Sequence, residues 1–433
     1  MWPPRSTQSQ TGRLVTDRSS VKLLYLALRR DLSTLLKPQV LAITLFLMLA
    51  DLMLGTVGPT FSLFARSLGA SLTWVGVLAT SVGLTRLVAG MAVGGLSDRW
   101  GRRRILTAGM LLLGIAYLLY SLLASPQSLL LAHIVQGVGF VSTFTVGLAY
   151  ATDLVAPRQR SLLLGVVGTL GGLGYAVGSW LGGSLAGSIG YRLTYRMAAG
   201  VALLGLWLAW RGMGPSGART RRADAARYPL HVQLGAIAGN GLIMSACLAS
   251  MVMNVVFGGL VIVFFPIHAS ALGITQTLIG SMLAIRALAS VIARLPTGLL
   301  ARRIPSEKLL LVALSGATLA ALALPRAAHA LSLTLLLIIE GVAFGTSLVA
   351  GQATVVEHAG ESDRGGALGI YGAAGSLADT LSPLLLGVVA EHMGLRAVFT
   401  VTGVIAALGT LAMLRTVVAR SRAGAHPERS TDH

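Results

Sequence analysis

The chain has 433 residues, of which 54% are hydrophobic and 11% charged. A water-soluble domain carries about 25% charged residues, and a mean hydropathy of +0.77 leaves too little polar surface to solvate a globule, which also excludes disorder. The lone cysteine, Cys247, excludes a disulfide scaffold. The formal charge is +19, with 34 Lys and Arg against 15 Asp and Glu. These basic residues fall between apolar runs and not along one face, a pattern of membrane topology and not of nucleic-acid binding. A helix crosses hydrocarbon with about 20 apolar residues. The sequence predicts twelve such spans, near 40–65, 73–96, 104–124, 128–152, 163–186, 193–212, 246–268, 274–298, 307–326, 331–355, 366–390 and 396–416.

With both ends inside, 26 Lys and Arg fall in inner segments, five in outer loops and three within spans. The bias predicts cytoplasmic termini and a multi-pass protein of a prokaryotic inner membrane. The expected organisation is a basic tail at 1–37, a six-helix bundle at 38–212, a middle loop with an interfacial segment at 213–245, a second six-helix bundle at 246–416 and a tail at 417–433. Within the first tail the apolar run Leu23–Leu28 is too short for a signal peptide, and no cleavage site follows. Residues 21–37 read either as an interfacial helix on anionic lipid or as a solvated basic tail.

The first span carries Asp51, about 17 Å deep at 1.5 Å per residue. An ionisable residue at depth costs about 2.5–3.5 kcal/mol or more and is a functional hypothesis by default. No basic residue is near it in sequence, so Asp51 is the first candidate for a coupling proton. The competing reading is a carboxylate permanently paired with an arginine. The second span carries Arg86, expected to pair with an acid. It ends Gly94-Gly95-Leu96-Ser97-Asp98-Arg99-Trp100-Gly101-Arg102-Arg103-Arg104, a tight turn in which an acid and several arginines can lock neighbouring helix ends.

This segment resembles the signature loop of the major facilitator superfamily, G-x-L-A/S-D-R-x-G-R-R/K. The resemblance extends over the chain, through twelve spans and a basic middle loop. It implies an all-α fold of twelve transmembrane helices in two six-helix bundles. It also implies a secondary transporter working by alternating access, with no catalytic residues. By resemblance Gly94, Asp98, Arg99, Gly101 and Arg102 form a latch that stabilises the outward-facing state, with Asp153 below the fourth span as partner.

In the fourth span His133-Ile134-Val135-Gln136-Gly137-Val138-Gly139 resembles the family's R-x-x-Q-G-x-G element, with His133 in place of the arginine implicated in proton transfer. His133 reads either as a proton carrier or as a satisfied structural histidine, and Gln136 as a cavity residue. The fifth span carries Gly165, Gly174, Gly178, Ser179, Gly182 and Gly183. Small residues so spaced let helix backbones approach closely. The pattern is similar to the family's antiporter motif, with Ser179 in place of proline, and implies export.

The second half repeats the first at a constant offset of 204 residues, pairing Gly69 with Gly273, Gly76 with Gly280, Gly137 with Gly341, Asp153 with Glu357, Gly183 with Gly387 and Gly190 with Gly394. Parallel repeats of this kind place a solute site between the halves near the midplane. The second copy of the loop reads Gly298-Leu299-Leu300-Ala301-Arg302-Arg303-Ile304-Pro305, so the latch is not carried into it. Asn254 in the seventh span occupies almost the repeat position of Asp51, shifted by one residue, and is a candidate solute ligand. Arg286 in the eighth span either faces the cavity or pairs with a carboxylate, whereas Arg294 is expected to snorkel to the inner interface. Glu340 and Asp379 are each either a second proton site or a ligand for a cationic solute.

The resulting expectation is proton-coupled efflux of a drug-like or metabolite molecule, with uptake by symport and a non-transporting sensor as alternatives. No metal and no cofactor are expected, the proton gradient being the driving force. The expected partners are solute, protons and membrane lipid, without nucleic acid, around a monomeric chain.

Overall fold

The computed structural model describes residues 35–214, 239–360 and 363–424. Of the interfacial segments expected in the first tail and the middle loop, residues 21–34 and 215–238 lie outside these. Among the described residues twelve helices are long and apolar enough to cross a membrane, and there are no strands. We label them α1 (Pro38–Ser67), α2 (Leu72–Trp100), α3 (Arg102–Leu122), α4 (Leu129–Asp153), α5 (Arg160–Ile189) and α6 (Tyr191–Gly212) in the first half. In the second half α7 covers Gly241–Ala271, followed by α8 (Gln276–Leu300), α9 (Ser306–Ala323), α10 (Ala330–His358), α11 (Arg364–Met393) and α12 (Leu395–Gly424). An even number of spans puts the start of α1 and the end of α12 on one side, here the terminal face; the other is the far face.

Local sequence sets where these helices start and stop. Ser71 and Thr275, one repeat apart, cap α2 and α8 by accepting from Trp74 N and Leu278 N. Four of the glycines paired by the repeat, Gly69 with Gly273 and Gly190 with Gly394, have φ of 79–88°. A side chain rarely adopts this conformation, so both tight turns depend on glycine. Gly101 also has φ +85°, and its second-half counterpart Pro305 has φ −50°, so the two signature loops differ in backbone as well as in charge.

Each half packs as a bundle around small residues. Gly174, Gly178 and Gly182 form a stripe along α5, and a Cβ on them would collide with the carbonyls of Met48, Leu52 and Thr56 on α1. Side chains on the outer faces, such as Leu203, Leu204 and Trp207 of α6 and Leu408 and Leu411 of α12, are exposed, as expected where lipid is the solvent.

The halves meet along two seams, α2 with α11 and α5 with α8. Toward the far face both seams are tight. Gly183 lies against Gly280 and, at the same offset, Gly387 lies against Gly76. Gln276 Nε2 donates to Tyr191 Oη at 2.5 Å, and Leu384 N donates to Thr80 Oγ1 at 3.2 Å. Toward the terminal face the helices part. Gly94, Gly95, Gly165, Gly298, Gly365, Gly369 and Gly372 have open space where a side chain would stand. The molecule is closed at its far face and open at its terminal face.

Candidate functional site at the centre of the bundles

Asp51 lies midway along α1, on the face packed against α5. Its Oδ2 sits over Gly171, and a Cβ there would collide with the carboxylate. Among the described residues Asp51 has no hydrogen bond and no ion pair. The basic group whose charge acts on it is Arg294 of α8. Arg294 does not snorkel outward. Its Nη1 donates to Gly168 O of α5 at 3.0 Å, because glycine leaves that backbone bare beside the guanidinium. Tyr175, one turn beyond Gly171, feels the charges of Asp51, Arg286 and Asp379. Sequence reading passed over Tyr175; the available signal was that it is the repeat partner of Asp379.

Asn254 is the structural counterpart of Asp51. It stands over Gly375 as Asp51 stands over Gly171, those glycines being one repeat apart, and its Nδ2 donates to Ser250 O at 2.8 Å. Directly after Asn254, α7 runs as a π-helix over Val255–Phe264. Gly258 and Gly259 in this stretch lie against Asp379 and Ser382 of α11. Pi-helical turns are rare and concentrate at functional sites.

The other two deep acids are both paired, in contrasting ways. Arg286 Nε and Nη2 donate to Glu340 Oε2 and Oε1 at 2.5 and 2.9 Å. The guanidinium lies 4.4 Å from the Phe257 ring centroid and 4.7 Å from that of Phe344. The pair is sealed, with side chains 4% and 0% exposed. Arg86 and Asp379 instead join the halves across the α2–α11 seam by one contact of 3.3 Å, with side chains 27% and 25% exposed. Arg86 also stacks on Phe140 at 4.4 Å. Phe140 and Phe344 are repeat partners, while Arg86 and Arg286 sit one helical turn apart in repeat register.

His133 and Gln136 belong to an aromatic cluster inside the first bundle. Tyr120 Oη donates to Gln136 Oε1 at 2.6 Å and lies 3.1 Å from His133 Nδ1, which is also 3.1 Å from Leu129 O. Phe61 packs edge-on against the imidazole at 4.3 Å. Neither residue lines the cavity of about 350 Å³ in the terminal-face half of the second bundle, which is bounded by Ser250, Asn254, Gln352, Tyr371 and Ser376. Arg286 is likewise turned away from it, into its pair.

At the terminal face Arg102 Nη1 meets Asp153 Oδ2 at 2.7 Å. At the same offset in the second half, Ser306 Oγ donates to Glu357 Oε2 at 2.5 Å, so the contact persists with a hydroxyl in place of the guanidinium. Arg103 donates to Ala209 O and Trp210 O at 3.1 and 2.6 Å, satisfying the end of α6. Asp98 and Arg99 are exposed and carry no ion pair among the described residues.

This architecture has known counterparts. The family description "Major Facilitator Superfamily" matches residues 41–263 and 252–432. "Multidrug resistance protein MdtG" of Enterobacter lignolyticus is 26% identical over 362 residues, 81% of this chain and 85% of that protein. "Solute carrier family 67 member A1" of Homo sapiens is 32% identical over 165 residues, and the chain matches only 38% of that protein's length. The solved nucleoside transporter NupG, as its D323A mutant, superposes with a TM-score of 0.74 over 87% of this chain and 98% of that one, at 13% identity. With the family match running through both bundles, on a fold shared with a solved transporter, the chain belongs to the Major Facilitator Superfamily and is a transporter, not an enzyme.

Proposed function

We propose that this transporter exports a small molecule in exchange for protons, with Asp51 carrying the proton. The observation behind this is that, among the described residues, Asp51 is the one of the three deep acids without a hydrogen bond or ion pair, at an α1–α5 contact that glycines hold tight. A carboxylate held by no fixed hydrogen bond or ion pair among the described residues suits a group that gains and loses a proton as the bundles rock. The basic-residue bias supports a cytoplasmic terminal face in the cell membrane, and in this reading the structure is the inward-open state. The antiporter-like glycine stripe of α5 supports export, as does similarity over most of the chain to a protein named for multidrug resistance.

In this reading the solute binds in the second-bundle cavity, beside Asn254, Ser250, Gln352 and Tyr371. These groups are uncharged, and Glu340 and Asp379 already have arginine partners. The cavity therefore suits a neutral solute with hydrogen-bonding groups, and Asp51 is the group left for a cationic one. One proton moved through 100 mV provides about 2.3 kcal/mol, or roughly 50-fold in concentration.

The test uses purified protein in liposomes loaded with a pH dye, with a panel of neutral, cationic and anionic solutes. Solute entry is expected to drive protons out of the lumen, and Asp51→Asn is expected to abolish that exchange. Protons entering together with solute would make the protein an importer. Exchange that survives in Asp51→Asn would move the proton site to Asp379.

A further inference from the structure

The repeat makes the two far-face seams natural controls for each other. Each seam places the first turn of one helix, α2 or α8, against the last turns of a helix from the other half, α11 or α5. The caps correspond: Ser71 with Thr275, and Trp74 N with Leu278 N. The close glycine contacts correspond too, Gly76 with Gly387 and Gly280 with Gly183. Among the positions that differ, one brings a carboxylate. Where α5 has Gly187, beside Thr277, α11 has Glu391. Leu72 N donates to Glu391 Oε2 at 2.7 Å, and Thr73 N to the same oxygen at 3.3 Å.

Glu391 stands in the last turn of α11, where its own helix dipole disfavours a negative charge. The favourable end of a dipole is supplied by α2, whose first turn holds no acid of its own and whose first N–H groups lack partners inside the helix. The stabilisation of this carboxylate therefore comes from the opposite half and exists only while the far face is closed.

We propose that Glu391 is the far-face latch of the transport cycle, a carboxylate from α11 that caps α2 and must release it before the far face opens. It mirrors, at the other end of the same helix pair, the place of Asp98 at the end of α2. One half of the molecule supplies the acid at each face. The proposal does not depend on which solute moves, in which direction, or with which ion.

A cysteine reporter on the other seam tests it. Ser179 is fully buried on α5, its backbone carbonyl against Gly280, so Ser179→Cys in a Cys247→Ala background is sealed while the far face is closed. The protein is placed in nanodiscs, which expose both faces and remove any dependence on orientation, and labelled with a charged thiol reagent. Glu391→Ala is expected to raise the labelling rate by about three-fold or more, the scale of losing a charge at a helix N-terminus. Glu391→Gln, which keeps shape and loses charge, is expected to raise it as well, and Glu391→Asp to restore it toward the parent. If Glu391→Ala is poorly folded by size-exclusion profile, Glu391→Gln carries the test. Labelling that matches the parent in a folded Ala or Gln variant overturns the proposal.

Discussion

At the scale of single residues, the two arginine–carboxylate pairs invite opposite expectations. Arg286 and Glu340 form a two-pronged contact, sealed from water and clamped between two phenylalanine rings. Charge-assisted and cation–π terms both act there. Removing one member of such a pair strands the other charge and costs about 3–5 kcal/mol, whereas removing both is far milder. Glu340→Gln is therefore expected to lower the thermal unfolding temperature in detergent steeply, and the double variant Arg286→Gln with Glu340→Gln to recover most of it. Arg86 and Asp379 make one contact, about a quarter exposed on each side. Cavity water can solvate whichever charge remains, so Asp379→Asn is expected to cost about 1 kcal/mol or less. Because this pair joins the halves, that variant is expected to change the flux rate while its melting curve stays near the parent's. Equal destabilisation by Glu340→Gln and Asp379→Asn would remove the distinction.

At the scale of helices, the glycine stripe of α5 shows what backbone proximity demands. Gly178 faces Leu52 O and Gly182 faces Thr56 O, fixed carbonyls that cannot rotate away. Gly178→Val is expected to destabilise by about 1–3 kcal/mol, as overpacking does, seen as lost monodispersity on size exclusion. Gly165 begins the same motif but has nothing within 4 Å, so Gly165→Ala is expected to leave the profile unchanged. The stripe was legible from spacing alone, as were the twelve spans, because each follows from a local rule; Gly69, Gly190, Gly273 and Gly394 were legible as repeat partners but not as turns. The one-residue slip between Asp51 and Asn254 was also visible, without its cause. Asp51 precedes Gly69 by 18 residues, and Asn254 precedes Gly273 by 19. The extra residue falls where α7 widens into the π-helix of Val255–Phe264, which absorbs one insertion without breaking the span. The widened stretch carries Phe257 to Arg286 and Gly258 to Asp379. What sequence could not supply was the choice of partners. Three deep arginines face three deep acids, and which of them meet depends on how two bundles dock, as for Arg86 and Asp379, 293 positions apart.

At the scale of the whole molecule, the latch proposed for Glu391 and the one that family resemblance implies for Asp98 would work in opposition at the two ends of the α2–α11 pair. At the far face Glu391 is engaged with Leu72 and Thr73; at the terminal face Asp98 is exposed without an ion pair among the described residues. A closed far face with an open terminal face requires this arrangement if each acid serves the state in which its own face is shut. The opposing roles fix the signs of a paired experiment. Cysteine reporters at Ser179, sealed with the far face, and at Gly372, in the open space of the terminal face, read the two gates separately. Glu391→Gln is expected to speed labelling at Ser179→Cys and slow it at Gly372→Cys. Asp98→Asn is expected to do the reverse if, as the family resemblance implies, its charge serves the state with the terminal face shut. A charge at a helix end contributes about 0.3–1 kcal/mol at an exposed site, so either change moves the ratio of states by a few-fold and not to completion. Combining the two substitutions is expected to bring both labelling rates back toward the parent, since distant independent sites add. If both single variants moved the two reporters in the same direction, the acids would be acting on general stability and not on the balance between the open faces.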